Sequence, residues 1–447
     1  MEIVIIGHGP AGMTAAGFAK RTDRKSRVTV IEKRSYDIFH PCAMPYVIAA
    51  ENRRIDDIKE DAAYGKSINY LGNSEVKKVD ADKKTVTYVS GGQEESIPYD
   101  KLIIATGSVP TIPTRFIKGY DKEKVFVLGN LDDASKIKAE VDKGAKRAVV
   151  IGGSAIGLEL ASELAHRGLS ITLFELLPHV LPGKLDKDMA ELVQQYFEKQ
   201  GIKVYTGTSV KEVLGDQTAT GVSTGDVQVK ADFVVMCTGV RPNLDFLAES
   251  NLELETGNLG AIVVNEKLET SVPDVYAAGD CVLTKNLVTG KPMNAMLAGI
   301  ATRQGRIVGI NAAGGDESFP SEGIPVAWIV PCVGLTFGAT GLSTELAEKE
   351  GLEIKSAKLT TEASPHYMPQ TRLVTVKLLA EGERLVGLQA IGYPADIAAL
   401  VDYGTMIMTA GISIRDIPKI DFCYAPATNE CMGPVVKTTE ALLRKLR

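Results

Sequence analysis

Runs of four or five apolar residues that end in glycine recur along this chain, and they set its architecture. Ile3-Val4-Ile5-Ile6 runs into Gly7-His8-Gly9-Pro10-Ala11-Gly12; an alanine-rich helical stretch follows, and Arg27-Val28-Thr29-Val30-Ile31 closes on Glu32. That order predicts strand, glycine turn, helix, strand and acid. The device returns at Ala148-Val149-Val150-Ile151, Gly152-Gly153-Ser154-Ala155-Ile156-Gly157, a helix through Glu159 and Glu163, and the strand Ile171-Thr172-Leu173-Phe174 ending at Glu175. After Pro331 the pattern changes: residues 373–379 and 385–391 predict paired strands across a turn at Ala380-Glu381-Gly382-Glu383, with a helix over 395–409. The expected fold class is α/β: two tandem Rossmann-like dinucleotide-binding domains, then a C-terminal α+β unit without nucleotide motifs.

The glycine spacing has a physical reading. The first glycine permits a tight turn, the second lets backbone approach a pyrophosphate, and the third lets the helix pack close to the strand. Phosphates then sit on the free N–H groups and dipole of the helix N-terminus. Glu32 lies about 20 residues on, where an acid accepts hydrogen bonds from an adenosine ribose. In the second copy Ser154 replaces the middle glycine, which predicts a slightly wider approach to the phosphate. Glu175 is followed by Leu176-Leu177-Pro178, not by a base that could pair with a 2′-phosphate, so NADH is favoured over NADPH.

Composition narrows the field. With 50 basic and 56 acidic residues, a net charge of -6 and no basic tract, nucleic acid is not an expected partner. No signal peptide is visible ahead of the first apolar run, so a cytoplasmic location is expected. The longest uncharged stretch, 324–344, is interrupted by Pro325, Pro331 and glycines, so no membrane span is expected. Six cysteines (Cys42, Cys237, Cys281, Cys332, Cys423, Cys431) are scattered without a C-x-x-C pair, which predicts neither a metal site nor a disulfide framework.

Three further strand-to-glycine turns complete a pattern: Leu102-Ile103-Ile104-Ala105-Thr106-Gly107, Val234-Val235-Met236-Cys237-Thr238-Gly239, and Val275-Tyr276-Ala277-Ala278-Gly279-Asp280. With the two fingerprints they resemble the pyridine nucleotide–disulfide oxidoreductase family over essentially the whole chain. The resemblance implies an FAD-binding domain from 1–115 and 245–330, an NAD-binding domain over 116–244 and a dimerisation domain over 331–447, in a homodimer. It implies that Gly279 and Asp280 approach the ribityl and phosphate part of FAD. It also implies that Lys33, beside Glu32, belongs to the same cofactor site.

The subfamily turns on Tyr36-Asp37-Ile38-Phe39-His40-Pro41-Cys42-Ala43-Met44-Pro45-Tyr46, which has one cysteine where the dithiol reductases have a C-x-x-x-x-C pair. This resembles the single-cysteine branch: coenzyme A disulfide reductases, NADH oxidases and peroxidases, and NADH-dependent polysulfide reductases. There the matching cysteine lies beside the flavin and cycles between thiolate and a mixed disulfide, persulfide or sulfenic acid. A helix N-terminus and the flavin are expected to hold its pKa low. Asp421-Phe422-Cys423-Tyr424-Ala425-Pro426 resembles the branch's Tyr-Ala-Pro segment, whose tyrosine reaches the partner subunit's cysteine, and Tyr367 resembles a second such tyrosine. A phenol can donate a proton to a departing thiolate. Glu159 is placed near the nicotinamide.

Departures bear on substrate. The branch's oxidases and peroxidases carry histidine at the position of Pro10; proline cannot move a proton, so specialised oxygen chemistry is disfavoured. The S-F-x-N-C lead of coenzyme A disulfide reductases is Ile38-Phe39-His40-Pro41-Cys42 here, while Lys20, Arg21, Arg24 and Lys25 offer a phosphate-binding cluster. Coenzyme A is therefore a candidate substrate or ligand. The resulting expectation is an FAD-dependent NAD(P)H oxidoreductase that reduces a small-molecule disulfide, persulfide or polysulfide through Cys42, with Tyr424 and Tyr367 assisting. The alternatives are an NADH oxidase, or an FAD subunit that exchanges electrons between NAD and an iron–sulfur protein partner.

Overall fold

The structure, a computed structural model, describes every residue except 62, 63, 65, 66 and 447, and the side chains of 394 and 395. Its first sheet is parallel, in the order Val275–Ala277, Lys101–Ile104, Glu2–Ile6, Arg27–Ile31, Asn69–Leu71. The strand at 275–277 comes from a return of the chain to this unit after the intervening sheet. The second sheet repeats the plan: Val125–Val127, Phe233–Met236, Arg147–Ile151, Ser170–Phe174, Lys203–Tyr205, again all parallel. In both, a glycine turn leads the strand into a helix, Pro10–Thr22 in the first and Ala155–His166 in the second. Their strands are buried on both faces, as parallel sheets require, which is why they read as unbroken apolar runs.

Two short antiparallel strands, Ser108–Pro110 and Val240–Pro242, carry the chain out of the first unit and back. Gly107 and Gly239, with φ +69° and +107°, make the turns into them. The turns are stitched together: Asn243 N donates to Gly107 O at 2.9 Å and Thr111 N to Gly239 O at 2.9 Å.

The third sheet is antiparallel, in the order Trp328–Cys332, Leu335–Gly341, Arg384–Gly392, Leu373–Glu381, Ile354–Glu362, and is backed by the helix Pro394–Thr409. The hairpin turn is tighter than the sequence suggests. Ala380 and Glu381 stay in the strand, paired with Leu385 and Arg384, and Gly382 at φ +56° with Glu383 makes a two-residue turn. The uncharged stretch at 324–344 supplies this sheet's edge hairpin, with Pro331 on the outermost strand, where a missing N–H costs no ladder bond. No described helix is long and apolar enough to cross a membrane.

The third unit is locked to the second. Lys377, buried, pairs with Asp186 at 2.6 Å and Asp188 at 2.7 Å, and Val333 N donates to Ser162 Oγ at 3.0 Å. One apolar core joins Met44, Val47 and Ile48 of the first unit to Leu160 and Leu164 of the second and Val330 and Phe337 of the third. The turn that carries Cys42 is therefore set where all three units meet.

Candidate functional site

The first glycine loop is rigid for reasons internal to the chain. Gly7 takes φ +98°, and a Cβ there would lie 2.3 Å from Ala105 O; one on Gly12 would lie 2.0 Å from Gly7 O. Gly9 differs: its φ is -77° and an added Cβ would meet no protein atom within 4 Å. Protein sterics do not call for glycine at this position, and the open space leaves room for a ligand to cross the helix N-terminus. Gly107 is likewise open, and Thr106 Oγ1 beside it is buried with no hydrogen-bond partner among the described residues. An open cradle and an orphaned hydroxyl at one helix terminus are the features a dinucleotide would satisfy.

The acid at the end of the second strand does more than the sequence suggests. Glu32 accepts from His8 N at 2.8 Å, from Arg34 N at 3.0 Å and from Arg34 Nη2 at 2.6 Å. Burial alone would raise its carboxyl, but the bonds and charge of Arg34 and the loop N–H hold it below the usual carboxylate range. Arg34 in turn stacks on Tyr36 and Phe39, its guanidinium carbon 5.5 and 4.8 Å from the ring centroids. The sequence reading missed Arg34; its signal was a base two residues past the acid. Lys33 lies beside it on an exposed rim with Asn73 and Glu75.

Gly279 and Asp280 complete this half. Gly279 at φ +88° is held by Gln304, whose Oε1 accepts its N–H at 2.8 Å, and a Cβ on it would come 3.1 Å from Ala11 Cβ. Ser108 Oγ donates to Asp280 Oδ2 at 2.7 Å. Burial raises the Asp280 carboxyl and the serine bond opposes it. His8 is engaged by its own chain: its Nε2 lies 2.8 Å from Tyr64 Oη and its Nδ1 3.1 Å from Asp37 O, and burial lowers its pKa.

The second loop repeats the geometry. Gly152 and Gly157 are required sterically, with added Cβ atoms at 2.3 Å from Cys237 O and 2.1 Å from Gly152 O. Ser154 has φ -76°, the same as Gly9, so the serine leaves the turn unchanged, and its Oγ accepts from Gly157 N at 3.4 Å as the helix cap. Glu175 accepts from Gly153 N at 2.7 Å and Leu177 N at 2.8 Å. Ile156, Leu176 and Leu177 stand exposed around it.

Cys42 sits in a single 3-10 turn, Pro41–Ala43, that leads into the short helix Met44–Ala49. As a residue it is exposed, whereas Cys237, Cys281 and Cys332 are buried as small hydrophobes. The expected depression of its pKa is not supplied by the protein. Burial, then the carboxylates of Glu159 and Asp280, push the thiol up, and only its own backbone N–H pulls the other way. Glu159 projects from the second unit's glycine-loop helix and carries a pKa raised to about 7 by burial and by Glu163. Tyr46 lies in the same cluster, its phenol raised by burial and by Glu159, Glu163, Cys332 and Cys42. Tyr46, Glu163 and Cys332 were not legible as neighbours, because the fold gathers them from three units. Asp280 of the first unit and Glu159 of the second therefore act on one sulfur.

Tyr367 and Tyr424 come together on the third unit, their hydroxyls 3.5 Å apart and both side chains exposed. Tyr424 is pushed up to about 12, first by Tyr367 and further by Cys431 and Glu430. Among the described residues no hydrogen bond joins either phenol to the Cys42 cleft of the same chain. Lys20, of the basic cluster, is spent locally, donating to the carbonyls of Arg24 and Ser26 at 2.8 and 2.7 Å.

Comparison with known proteins bears on these features. Residues 1–305 match the family model described as pyridine nucleotide-disulphide oxidoreductase, and residues 330–435 match that family's dimerisation domain. An NADH oxidase of Methanocaldococcus jannaschii is 33% identical over 454 residues, covering 100% of this chain and 99% of the relative. A CoA-dependent NAD(P)H sulfur oxidoreductase of Pyrococcus furiosus is 32% identical over 447 residues, covering 99% of each. Among solved structures, an NAD-dependent persulfide reductase from A. fulgidus superimposes with a TM-score of 0.95 at 32% identity, over 100% of this chain and 83% of that one.

Proposed function

Since this chain belongs to the pyridine nucleotide-disulphide oxidoreductase family, whose members use FAD and NAD(P)H, we propose that it reduces a disulfide, persulfide or polysulfide, coenzyme A-linked species included, with Cys42 as its redox thiol. The observation that carries this reading is the position of Cys42: a surface cysteine, on a turn where all three units meet, under the influence of Glu159 from one glycine-loop half and Asp280 from the other. Bound there, FAD would supply the capacity to accept a hydride from the nicotinamide and to deliver two electrons onward. The chain's own residues do the rest. The first glycine loop, Glu32, Thr106 and the Gly279-Asp280 turn hold the cofactor, with Lys33 at its rim. The second loop and Glu175 hold NADH, with Ile156 and Leu176 as apolar walls and no cation among the residues directly after Glu175, Leu176-Leu177-Pro178, for a 2′-phosphate.

Cys42 attacks a substrate sulfur as the thiolate and forms a mixed disulfide. Its surroundings favour the thiol, so a base must take the proton, and Glu159, poised near pH 7, is matched to that exchange. Tyr424 and Tyr367 of the partner subunit donate to the departing thiolate across a homodimer. Support for that dimer comes from the third unit, where Tyr367, Leu373, Tyr393, Met406, Tyr424 and Met432 are all exposed.

The relatives also include NADH oxidases. Against oxygen as the designed acceptor stand Pro10 in the loop and a His8 whose two ring nitrogens are already engaged. The test is anaerobic titration with NADH of the native protein and Cys42→Ser, watched at the long-wavelength flavin–thiolate band. A band that needs Cys42 and is discharged by coenzyme A disulfide, coenzyme A persulfide or polysulfide supports the reading. Identical titrations of the two proteins with no sulfur acceptor would sink it and point to a protein electron partner.

A further inference from the structure

Lysine is seldom buried without a partner, and two are buried among the described residues, Lys138 and Lys377. Lys377 is accounted for by its two aspartates. Lys138 reaches out of its own unit instead. It lies on the helix Leu131–Asp142 of the second unit, and its ammonium donates to Ala50 O at 2.9 Å, with Asp142 of its own helix at 3.4 Å. Ala50 caps the short helix Met44–Ala49, which follows directly on the Cys42 turn. The last carbonyls of a helix have no partner within it, so this bond ties down an end that would otherwise fray. The same helix holds the other side of the cysteine. Asn130 Oδ1 accepts from Asp132 N and Asp133 N at 2.9 and 3.0 Å, and Leu131 N is left to donate to Tyr36 Oη at 3.4 Å. The segment 36–50 is thus gripped at both ends by one helix of the second unit, and between the grips Met44, Val47 and Ile48 share a core with Leu131 and Ile137.

A second helix of that unit fixes the direction of the grip. Ala155–His166 also packs on Met44–Ala49, through Leu160 and Leu164. Its C-cap residue Arg167 pairs with Glu51, while Glu159, towards its other end, bears on Cys42. The two helices therefore run side by side in one direction, latched at Ala50 and Glu51 and working at Cys42 and Glu159. We propose that Lys138 is a positioning residue for the thiol chemistry: by pinning Ala50 it sets how far Cys42 stands from Glu159, and so how readily a proton passes between them. This deepens the proposed function and rests on its reading of Cys42 as the redox thiol and Glu159 as the base. The pin acts through geometry, since eight residues, about 12 Å of helix, separate Ala50 from Cys42, and a displacement of about 1 Å at a reacting group can cost up to a hundredfold in rate. The groups that face Cys42 are Glu159, Asp280 and, on its own helix, Tyr46; Glu159 is faced by Glu163 and Tyr46. Lys138→Met leaves all of them in place.

The experiment uses the full-length holoenzyme, reduced anaerobically with NADH. Alkylation of Cys42 by iodoacetamide is followed against pH on the Cys42 peptide by mass spectrometry, which sets the exposed Cys423 and Cys431 aside. Lys138→Met keeps the buried stem and removes the donor. Its alkylation midpoint should fall by about half a pH unit as the carboxylate moves off, while kcat with polysulfide drops about tenfold and KM for NADH stays within about twofold. More thiolate with less turnover is the mark of a lost coupling, which general loosening would not produce. Lys138→Arg, which still donates to the carbonyl, should recover both values, and Lys136→Met, at an exposed position of the same helix, should change neither. In a Glu159→Gln background Lys138→Met should cost less than about twofold more, because the two changes remove one coupling. Glu51→Gln, on the exposed side of the latch, should move the midpoint the same way by a smaller step, and it carries the test if Lys138→Met does not fold. An unchanged midpoint in the folded variant, or losses that multiply with those of Glu159→Gln, overturns the pin. The redox reading fails separately, when the flavin–thiolate band survives Cys42→Ser.

Discussion

The two glycine-loop halves of this molecule share a plan but differ in how tightly they are closed. In both, the first loop N–H bonds the end of the neighbouring strand: Gly7 N to Ile31 O at 2.9 Å, Gly152 N to Phe174 O at 2.7 Å. In both, the terminal acid grips the second loop N–H. The differences are all in one direction. Ala11 is buried under Gly279, while Ile156, its counterpart, is exposed. Glu32 is followed by Lys33 and by Arg34, which pairs with it; Glu175 is followed by two exposed leucines. The sequence differences at matched positions make the first half the more closed of the two, which is the difference the proposed function calls for if the first half keeps its ligand and the second releases one each turnover.

The largest effect expected from breaking this comparison is at the acids. Glu32→Ala removes the buried partner of the half-buried Arg34 guanidinium, which should cost about 3 kcal/mol and with it most of the bound flavin. Glu175→Ala strands no charge. It leaves the Gly153 N–H unpaired, a loss of about 1–3 kcal/mol, and should raise KM for NADH more than it lowers stability. Urea denaturation and flavin content separate the two outcomes. The pH dependence follows from the same pair. The folded carboxyl of Glu32 is held below its unfolded value near 4.5, so its contribution is present above that pH and is lost as pH falls through the depressed folded value. Native protein and Glu32→Gln should therefore converge in stability in acid. Curves that stay parallel down to pH 3 would show that the Arg34 pair is not what holds the loop.

These contrasts show which parts of the molecule the sequence carries and which it does not. Glycines required by backbone clash, Gly7, Gly12, Gly152 and Gly157, are legible because their spacing repeats the strand–turn–helix geometry. The Arg34 stack was hidden because it depends on Phe39, a partner five residues on whose ring orientation no spacing encodes. Cys42 stands out in the sequence by its flanking residues, but the direction of its titration was not legible there. The carboxylates that raise it come from Glu159 and Asp280, more than a hundred residues away, and only the packing of three units puts them there. Ala380 and Glu381 in the hairpin were misjudged only by register, since a β-bulge between Leu379 and Ala380 lets the strands run on to a shorter turn at Gly382 and Glu383.

A middle-sized effect is expected from making the first loop resemble the second. Gly9→Ser should leave the apoprotein folded and slightly firmer, because φ is ordinary, the Cβ position is open and the hydroxyl can cap the helix. The same side chain would occupy the space of the pyrophosphate. FAD affinity should fall about tenfold, or about 1.4 kcal/mol, measured by flavin fluorescence during reconstitution. An unchanged affinity would mean that the phosphates do not pass over Gly9.

The reciprocal change carries the smallest effect and the sharpest lesson. Ser154→Gly restores the middle glycine to the second loop, and on the sequence pattern alone it should tighten NADH binding. The structure argues otherwise: Ser154 already has the backbone angles of Gly9, and its hydroxyl both caps Gly157 N and donates to Cys237 O at 3.1 Å, away from the phosphate path. Replacing it with glycine should cost a few tenths of a kcal/mol of stability, and Ser154→Ala about 1 kcal/mol, with KM for NADH moving less than twofold in either. A tenfold gain in NADH affinity for Ser154→Gly would show that the serine holds the dinucleotide off, and that the looseness of the second half is set at this residue and not by the open apolar walls around it.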